Sequence, residues 1–423
     1  MAKRLVSDLD VRGKRVLVRV DFNVPLNEER EITDDQRIAR ALPTVRHLTE
    51  GGGRLILMSH LGRPKGDPEA DRKFSLAPVA NRLGDMLGCK VQLAPACVGP
   101  EVDSIVSGLG DGDVCLLENL RFNLPETIKD KKAKNDPALR QAKDDFARRL
   151  ASLADVYVND AFGTCHRDNA SMLTVPRMMK GKPRAIGFLI KKELEFLGEA
   201  VTNPQRPFVA VLGGAKVSDK IAVIETLATK CDRILIGGAM SYTFFAAAGE
   251  ATGNSLVEQD RLEDAKRLRE LAGDKLVLPT DSVCASEIAE GVTAKVCEGP
   301  IPDGLMGLDI GPKTVATYRA ILAEAKTVIW NGPMGVFETR PFNAGTMVVA
   351  QALADATAKG AVTVIGGGDS AAAIEMAGLT DSVTHVSTGG GASLEYLEGK
   401  PFKALDAIDD TQPCCTKCCG ARG

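Results

Sequence analysis

Short runs of Val, Ile and Leu alternate with helix-length amphipathic stretches along nearly the whole chain, and few folds accommodate that pattern. In the first half the apolar runs fall at residues 15–22, 54–59, 114–117 and 156–158. In the second half they fall at 208–212, 233–236, 276–278, 327–330 and 361–365, with a weaker one at 383–386. Runs that are apolar on both faces, rather than alternating, suit strands buried on both sides of a parallel sheet. Between them lie amphipathic stretches at 34–50, 76–87, 137–154, 216–229, 259–271, 311–323 and 343–358. Strand–helix alternation of this kind predicts sheets with helices packed on both faces.

A chain of 423 residues exceeds one ordinary domain. The alternation breaks once, at residues 187–202 (GFLIKKELEFLGEAVT), which read as a helix closed by Asn203-Pro204 and Arg206-Pro207. The expected fold class is therefore α/β: two doubly wound, Rossmann-like parallel-sheet domains joined by a central helix and hinge. The expected domains are residues 1–186 and 204–399, the linking helix and hinge is 187–203, and 400–423 form a C-terminal segment. A net charge of −3 and a pI near 6.0 argue against nucleic acid as the main partner. The first ten residues, MAKRLVSDLD, carry no apolar targeting core, and no run approaches the ~18 apolar residues of a membrane span. Of the eleven cysteines four crowd into the last ten residues, and with no such signal the rest read as reduced thiols of a cytoplasmic protein. The charge is unevenly divided. Residues 1–184 carry 31 Lys+Arg against 26 Asp+Glu, and residues 185–423 carry 22 against 30.

In open parallel sheets, ligands bind beyond the carboxyl ends of the strands. In the first half those ends carry Asp21 and Asn23, then His60 and Arg63, then Arg121, then His166 and Arg167, with Arg37 at the start of the first helical stretch. One such arginine is explained by a surface ion pair. Their recurrence at successive strand ends, with two histidines, predicts a site for a small, multiply charged anion, because guanidinium forks match carboxylate and phosphate.

The strand ends of the second half are glycine-rich instead: Gly213–Lys220 (GGAKVSDK), Gly237-Gly238, Asn331–Glu338 (NGPMGVFE), Gly366-Gly367-Gly368-Asp369-Ser370 and the triplet at 389–391. Glycine admits close backbone approach, and a helix start behind it supplies N–H donors for phosphate. A nucleotide site is expected. The sequence contains neither the Walker A spacing nor the G-x-G-x-x-G fingerprint with its acidic partner, so a different loop set must hold it. An anion on one domain and a nucleotide on the other suggest phosphoryl transfer, with Lys216, Lys220, Arg37 and a metal ion supplying positive charge. Asp369 is a natural Mg²⁺ ligand, and closure of the domains against water is expected.

Eight blocks in order carry a resemblance: RVDFNVP (19–25), SHLGRPKG (59–66), LLENLRF (116–122), NDAFGTCHR (159–167), LGGAKVSDK (212–220), WNGPMGVFE (330–338), GGGDS (366–370) and STGGGASLE (387–395). Over about residues 3–400 the chain resembles the 3-phosphoglycerate kinase family. The resemblance implies a phosphotransferase with a carboxyl acceptor, a glycolytic and gluconeogenic enzyme moving a phosphoryl group between 1,3-bisphosphoglycerate and ADP. It implies that Asp21, Asn23, Arg37, His60, Arg63, Arg121 and Arg167 hold phosphoglycerate. His60 would act as an orienter rather than a base, since an acyl phosphate reacting with a phosphate oxygen needs no proton removed. Arg37, Lys216 and the backbone of Gly390 would accompany the transferred group, and Lys220 would meet the α-phosphate. Asp369 would hold Mg²⁺ with the nucleotide, Ser370 beside it. Glu338 would meet the ribose. Gly213, Gly237, Gly238, Gly307, Leu308, Asn331, Pro333 and Val336 would line the adenosine pocket, and Gly366, Gly367 and Gly368 the phosphate loop. A monomer is implied, with the C-terminal segment returning to the first domain.

The chain departs from the family pattern at three places. Where the family usually has His-Arg-Ala-His-Ser-Ser, this chain has His166, Arg167, Asp168, Asn169, Ala170 and Ser171. Asn169 replaces the second histidine and Asp168 adds a negative charge beside Arg167. Residues 124–142 are longer than usual and read as a surface insertion, with 129–134 (KDKKAK) a solvated loop. Cys414, Cys415, Cys418 and Cys419 are foreign to the pattern; their spacing permits a metal site, and a redox-sensitive tail is the simpler reading. Ser218 and Asp219 read as helix caps. Two other classes remain to be weighed: a nicotinamide dehydrogenase, which lacks its fingerprint here, and a non-catalytic nucleotide-binding protein, which has no reason to keep Arg37, Lys216 and Asp369.

Overall fold

The computed structural model describes residues 2–411, so the expectations for the Cys414–Cys419 cluster lie outside the described residues. The chain divides into two units, one reaching from the N-terminus to Glu193 and resuming at Pro401, the other running from Leu194 to Lys400. The division falls inside the helical stretch 187–202. It is built of Phe188–Glu193, a π-helical turn Leu194–Gly198 and a last turn Glu199–Thr202.

The first unit is a six-stranded sheet of β1 (Arg15–Val20), β2 (Arg54–Met58), β3 (Val91–Leu93), β4 (Val114–Leu116), β5 (Val156–Asp160) and β6 (Arg184–Ile186), in the order 3-4-2-1-5-6 and parallel throughout. The apolar runs became strands because both faces are covered: every residue of β5 and all but the first of β1 and β2 are buried. One core packs Val16, Val18 and Val20 against Ile38, Val45 and Leu48 of the helix Gln36–Glu50. The order matters for chemistry, because β1 lies between β2 and β5 and their carboxyl ends share one edge. β3 and β6 went unpredicted. Each has three residues, at a sheet edge, too short for a periodic signal.

Residues 401–411 belong to this unit. Asp409 accepts hydrogen bonds from the Arg184 backbone N–H (3.0 Å) and from its guanidinium (Nε at 2.9 Å), and Lys3 pairs with Asp410 at 2.8 Å. Phe402 packs on Phe162, ring centroids 5.9 Å apart.

The second unit holds β7 (Phe208–Leu212), β8 (Arg233–Ile236), β9 (Leu276–Val277), β10 (Asp281–Ala285), β11 (Lys295–Glu298), β12 (Met306–Ile310), β13 (Thr327–Asn331), β14 (Val362–Gly366) and β15 (His385–Val386). Six of them form a parallel sheet in the order 15-14-13-7-8-9. The other three make an antiparallel sheet, 11-10-12, that the sequence reading missed. Its strands (DSVCA, KVCE, MGLDI) mix polar and apolar residues, and β10 is bulged between Val283 and Cys284, so no clean period survives. The helix expected at 216–229 is Ile221–Ala228, which leaves Lys216 on the preceding loop. Its N-cap is Lys220 with no side-chain cap bond, and the Ser218 hydroxyl donates to Glu258 (2.6 Å) instead, so the capping expectation for Ser218 and Asp219 is not met.

Removing the Asp409 carboxylate leaves the Arg184 guanidinium and N–H to find other partners. Asp409→Ala is expected to cost about 1–3 kcal/mol, read as a lower urea midpoint, with Asp409→Asn in between because it keeps one acceptor.

Candidate active site

In the first unit the predicted anion ligands meet at the carboxyl ends of β1, β2 and β5 and in the loop after β4. Asp21 follows β1 and is buried; its Oδ2 accepts from Arg37 Nη1 at 2.6 Å, and its Oδ1 lies 3.6 Å from His60 Nδ1. His60 follows β2 and is 4% exposed. Its Nδ1 faces Arg19 Nη2 at 3.2 Å. A guanidinium only donates, so Nδ1 accepts and the neutral ring carries its proton on Nε2. Asn23 accepts from the Gly62 N–H (2.8 Å) and Arg121 donates to the Gly62 carbonyl (2.5 Å), which fixes the loop that carries the exposed Arg63. Arg167 Nε donates to His166 Nε2 at 3.2 Å, so the proton of His166 sits on Nδ1.

Three buried polar atoms in this cluster have no protein partner: Asp21 Oδ1, Arg121 Nε and His166 Nδ1. Two are donors and one an acceptor, and buried polar groups are costly to leave unpaired. The charges also act on one another. Burial raises the Asp21 carboxyl, but His60, Arg37, Arg19 and Arg167 outweigh it and hold the group below its ordinary range. Burial, with Arg19, Arg121 and Arg167 nearby, drives His60 well below 6.5. His166 is pushed to about 4 by burial and by Arg167, and Arg121 to about 10 by burial, Arg167 and Arg19. Near neutrality both imidazoles are therefore uncharged, and the guanidiniums supply the positive field.

The glycines of the second unit separate into two kinds. A Cβ on Gly213 would sit 2.0 Å from the Pro333 carbonyl, one on Gly238 2.5 Å from Gly214, and one on Gly307 2.0 Å from the Tyr242 hydroxyl; one on Gly237 would meet Met334. Gly213, Gly237 and Gly238 let loops pack on each other, and Gly307 lets β12 pack against Tyr242. Around Gly368 and Gly390 a Cβ would meet nothing within 4 Å, so these lie against open space; Gly390 also has φ +50°. Lys220 is buried and donates to Asn331 Oδ1, while Asn331 Nδ2 donates to the Gly366 carbonyl (2.7 Å) and packs on Gly367. Burial lowers the Lys220 ammonium, opposed by Asp219, Asp369 and Glu398. Asp369 is exposed in the first turn of the helix Gly368–Met376, and Ser370 is turned inward, accepting from the Gly332 N–H (2.6 Å). The Val336 N–H donates to the Leu308 carbonyl (2.8 Å), joining these two predicted pocket residues. Lys216 and Glu338 are exposed.

Arg19, Glu126 and Ser171 were not singled out from the sequence. Arg19 Nε donates to the Ser171 hydroxyl (3.0 Å), which donates to the fully buried Glu126 (2.7 Å). An arginine inside an apolar strand run was the available signal.

Fixed positive charge at strand ends, and glycine loops with open backbone, supply the positioning and charge neutralisation that phosphoryl transfer requires. A phosphotransferase is the class of protein these features define. Comparison with known proteins sharpens this: the phosphoglycerate kinase family model matches residues 6–400, and the chain belongs to that family. It is 55% identical to the phosphoglycerate kinase of Chlorobium limicola and 56% identical to that of Chlorobaculum tepidum, each over 97% of this chain and all of the relative. The solved phosphoglycerate kinase of Coxiella burnetii superposes with a TM-score of 0.82 at 39% identity, covering 96% of this chain and 98% of that one.

Gly213→Ala should lower the unfolding midpoint sharply, since its Cβ overlaps backbone. Gly368→Ala should leave stability within about 0.5 kcal/mol, so any change in its nucleotide affinity reports on the ligand. A pH test follows from His166. Its folded pKa lies below the ordinary value, so between about 6.5 and about 4 the unfolded chain takes up a proton the folded one refuses, and its contribution falls as pH drops. Asp160 and Asp309, pushed by burial up to about 7, act in the opposite sense. The readout is therefore the difference: His166→Gln should gain stability relative to the parent between pH 7 and pH 5 in urea titrations.

Proposed function

We propose that the chain catalyses reversible, Mg²⁺-dependent phosphoryl transfer between 1,3-bisphosphoglycerate and ADP, giving 3-phosphoglycerate and ATP. The observation that carries the residue assignment is the unsatisfied set Asp21 Oδ1, Arg121 Nε and His166 Nδ1, buried among arginines. Phosphoglycerate offers what these atoms lack: carboxylate and phosphate oxygens for the donors, and a hydroxyl proton for Asp21. In this reading Asp21, Asn23, Arg37, His60, Arg63, Arg121 and Arg167 hold the triose. His60 orients through Nε2–H, with no proton transfer asked of it.

On the other unit the nucleotide lies along Gly213, Gly237, Gly238, Gly307, Leu308, Asn331, Pro333 and Val336, its ribose at Glu338 and its phosphates over Gly366–Ser370. Lys220 meets the α-phosphate. Among the described residues there is no cluster of three or more His, Cys, Asp or Glu able to cage a metal. A single exposed carboxylate, Asp369, beside the open Gly368 suits Mg²⁺ carried in by phosphates, its usual mode. The ion neutralises phosphate charge when bound. Arg37, Lys216 and the Gly390 backbone stabilise the charge on the moving group, and transfer requires the two ligands in line with water excluded. The setting is cytoplasmic, where the seven described cysteines, all unbridged, stay thiols. No helix of the described residues is long and apolar enough to cross a membrane. The working form is a monomer, and nucleic acid is not a partner.

A coupled assay with ATP, Mg²⁺ and 3-phosphoglycerate tests the reading, and absence of turnover in freshly reduced protein would sink it. Within that assay, Lys216→Ala should lower kcat by about 10²-fold or more with little change in nucleotide KM. Arg63→Ala should chiefly raise the KM for 3-phosphoglycerate. Equal losses for both ligands in both variants would contradict this division of labour.

A further inference from the structure

The stretch read as a surface insertion is tied into the interior. Glu126 and Lys143 are both fully buried, and between them lies the short helix Asp130–Ala133. Lys143 Nζ donates to Asp130 Oδ1 (2.7 Å) and to the Asp168 carbonyl (2.5 Å), and the Asp130 N–H donates to Asp168 Oδ2 (2.7 Å). Glu126 accepts from Asn169 Nδ2 (3.2 Å), the Ser171 N–H (2.9 Å) and the Ser171 hydroxyl (2.7 Å). Asp168, Asn169 and Ser171 are thus each held from residues 126–143, and they directly follow Arg167. Two of the three, Asp168 and Asn169, are among the positions where this chain departs from the resemblance.

We infer that residues 126–143 position Arg167 for phosphoglycerate, with Lys143, Asp130 and Asp168 as one clamp and Glu126 with Asn169 and Ser171 as the other. The inference rests on Arg167 being a phosphoglycerate ligand. A buried ammonium and a buried carboxylate are costly to disturb once their partners are removed, so the segment after Arg167 has one arrangement instead of several. The Asp168 carboxylate is turned toward the Asp130 N–H, which holds this acidic residue in place beside Arg167. Asp168, Lys143 and Glu126 are positioning residues; none is required to touch the substrate.

The test compares Asp168→Ala, Asp168→Asn, Lys143→Met and Arg167→Met by KM for 3-phosphoglycerate, KM for ATP, kcat and urea midpoint. Asp168→Ala is expected to raise the phosphoglycerate KM about tenfold, since small misplacements of a binding group are costly, with the ATP KM moving less than twofold. Asp168→Asn should restore most of the loss, because its amide oxygen still accepts from the Asp130 N–H. Should Lys143→Met fail to fold, the Asp168 pair alone decides. An Asp168→Ala enzyme that is less stable yet keeps its phosphoglycerate KM, or one whose two KM values rise together, overturns the positioning role. If Arg167→Met leaves the phosphoglycerate KM unchanged, the ligand assignment itself falls and the inference with it. A weakened Arg167→Met beside an unmoved Asp168→Ala removes only the positioning role.

Discussion

A guanidinium cannot be left unpaired in the middle of a sheet, and the first unit is arranged around that constraint. Arg19 is 1% exposed, in a strand whose neighbours are all buried. Desolvating a charge costs several kcal/mol unless it is met by well-placed partners, and every partner of Arg19 is a site component or supports one. Its Nη1 donates to the Val20 carbonyl, its Nη2 to His60 Nδ1 and its Nε to Ser171, behind which stands the buried carboxylate of Glu126. One buried cation thereby selects the tautomer of His60, fixes the orientation of its ring, and ties β1 to the segment that follows Arg167. The orphaned atoms of Asp21, Arg121 and His166 are what this network leaves unsatisfied, and under the proposed function phosphoglycerate completes it there.

In the second unit the governing constraint is steric. Gly213, Gly238 and Gly332 bring three loops together at distances where any side chain would overlap carbonyl oxygens or backbone nitrogen. Hydrogen bonds from the Gly213 N–H to the Asn331 carbonyl (3.0 Å) and from the Gly214 N–H to the Pro333 carbonyl (2.9 Å) lock the arrangement. The buried Trp330 indole donates to the Gly332 carbonyl from below (2.8 Å). With the loops braced against each other, the open glycines at 368 and 390 keep their backbone available without collapsing onto it. Preorganised backbone donors need no rearrangement at the moment of reaction, and that is why they are effective.

How much of this could be read in advance follows from which physics leaves a local trace. Both-face burial writes itself into consecutive apolar residues, so the nine strands at the clear apolar runs were legible, and β7 and β8 were legible to the residue. The polar strand ends were legible for the same reason, since polar residues abruptly follow apolar ones. Edge strands of three residues and the bulged antiparallel sheet depend on partners distant in sequence and leave no periodic pattern. The glycines were found, but sequence cannot tell one that admits a ligand from one that admits another loop; Gly213 and Gly368 look alike until their surroundings are known. The same limit hid residues 126–143, where a run of lysines reads as solvated, and Lys131, Lys132 and Lys134 are indeed exposed. Lys143 is buried, and nothing local distinguishes it from them.

The excess of positive charge on the first part of the chain takes a narrower meaning in the structure. Many of the arginines there are paired: Arg15 with Asp155, Arg54 with Asp111, Arg82 with Asp35, Arg140 with Asp144 and Arg184 with Asp409. Pairs of this sort are partly exposed, and their fields fade within a Debye length of about 8–10 Å. Arg63 and Arg121 are different, for neither is ion-paired among the described residues, and Arg121 is depressed to about 10 because burial and its own kind surround it. A guanidinium in that position remains charged at neutral pH yet is poorly solvated, so under the proposed function an arriving anion relieves repulsion already present. The attraction of the site therefore does not depend on the net charge of the unit. Under the proposed function it depends on Arg63 and Arg121 having no carboxylate partner among the described residues, while the buried Arg19 and Lys143 are given hydrogen-bond partners.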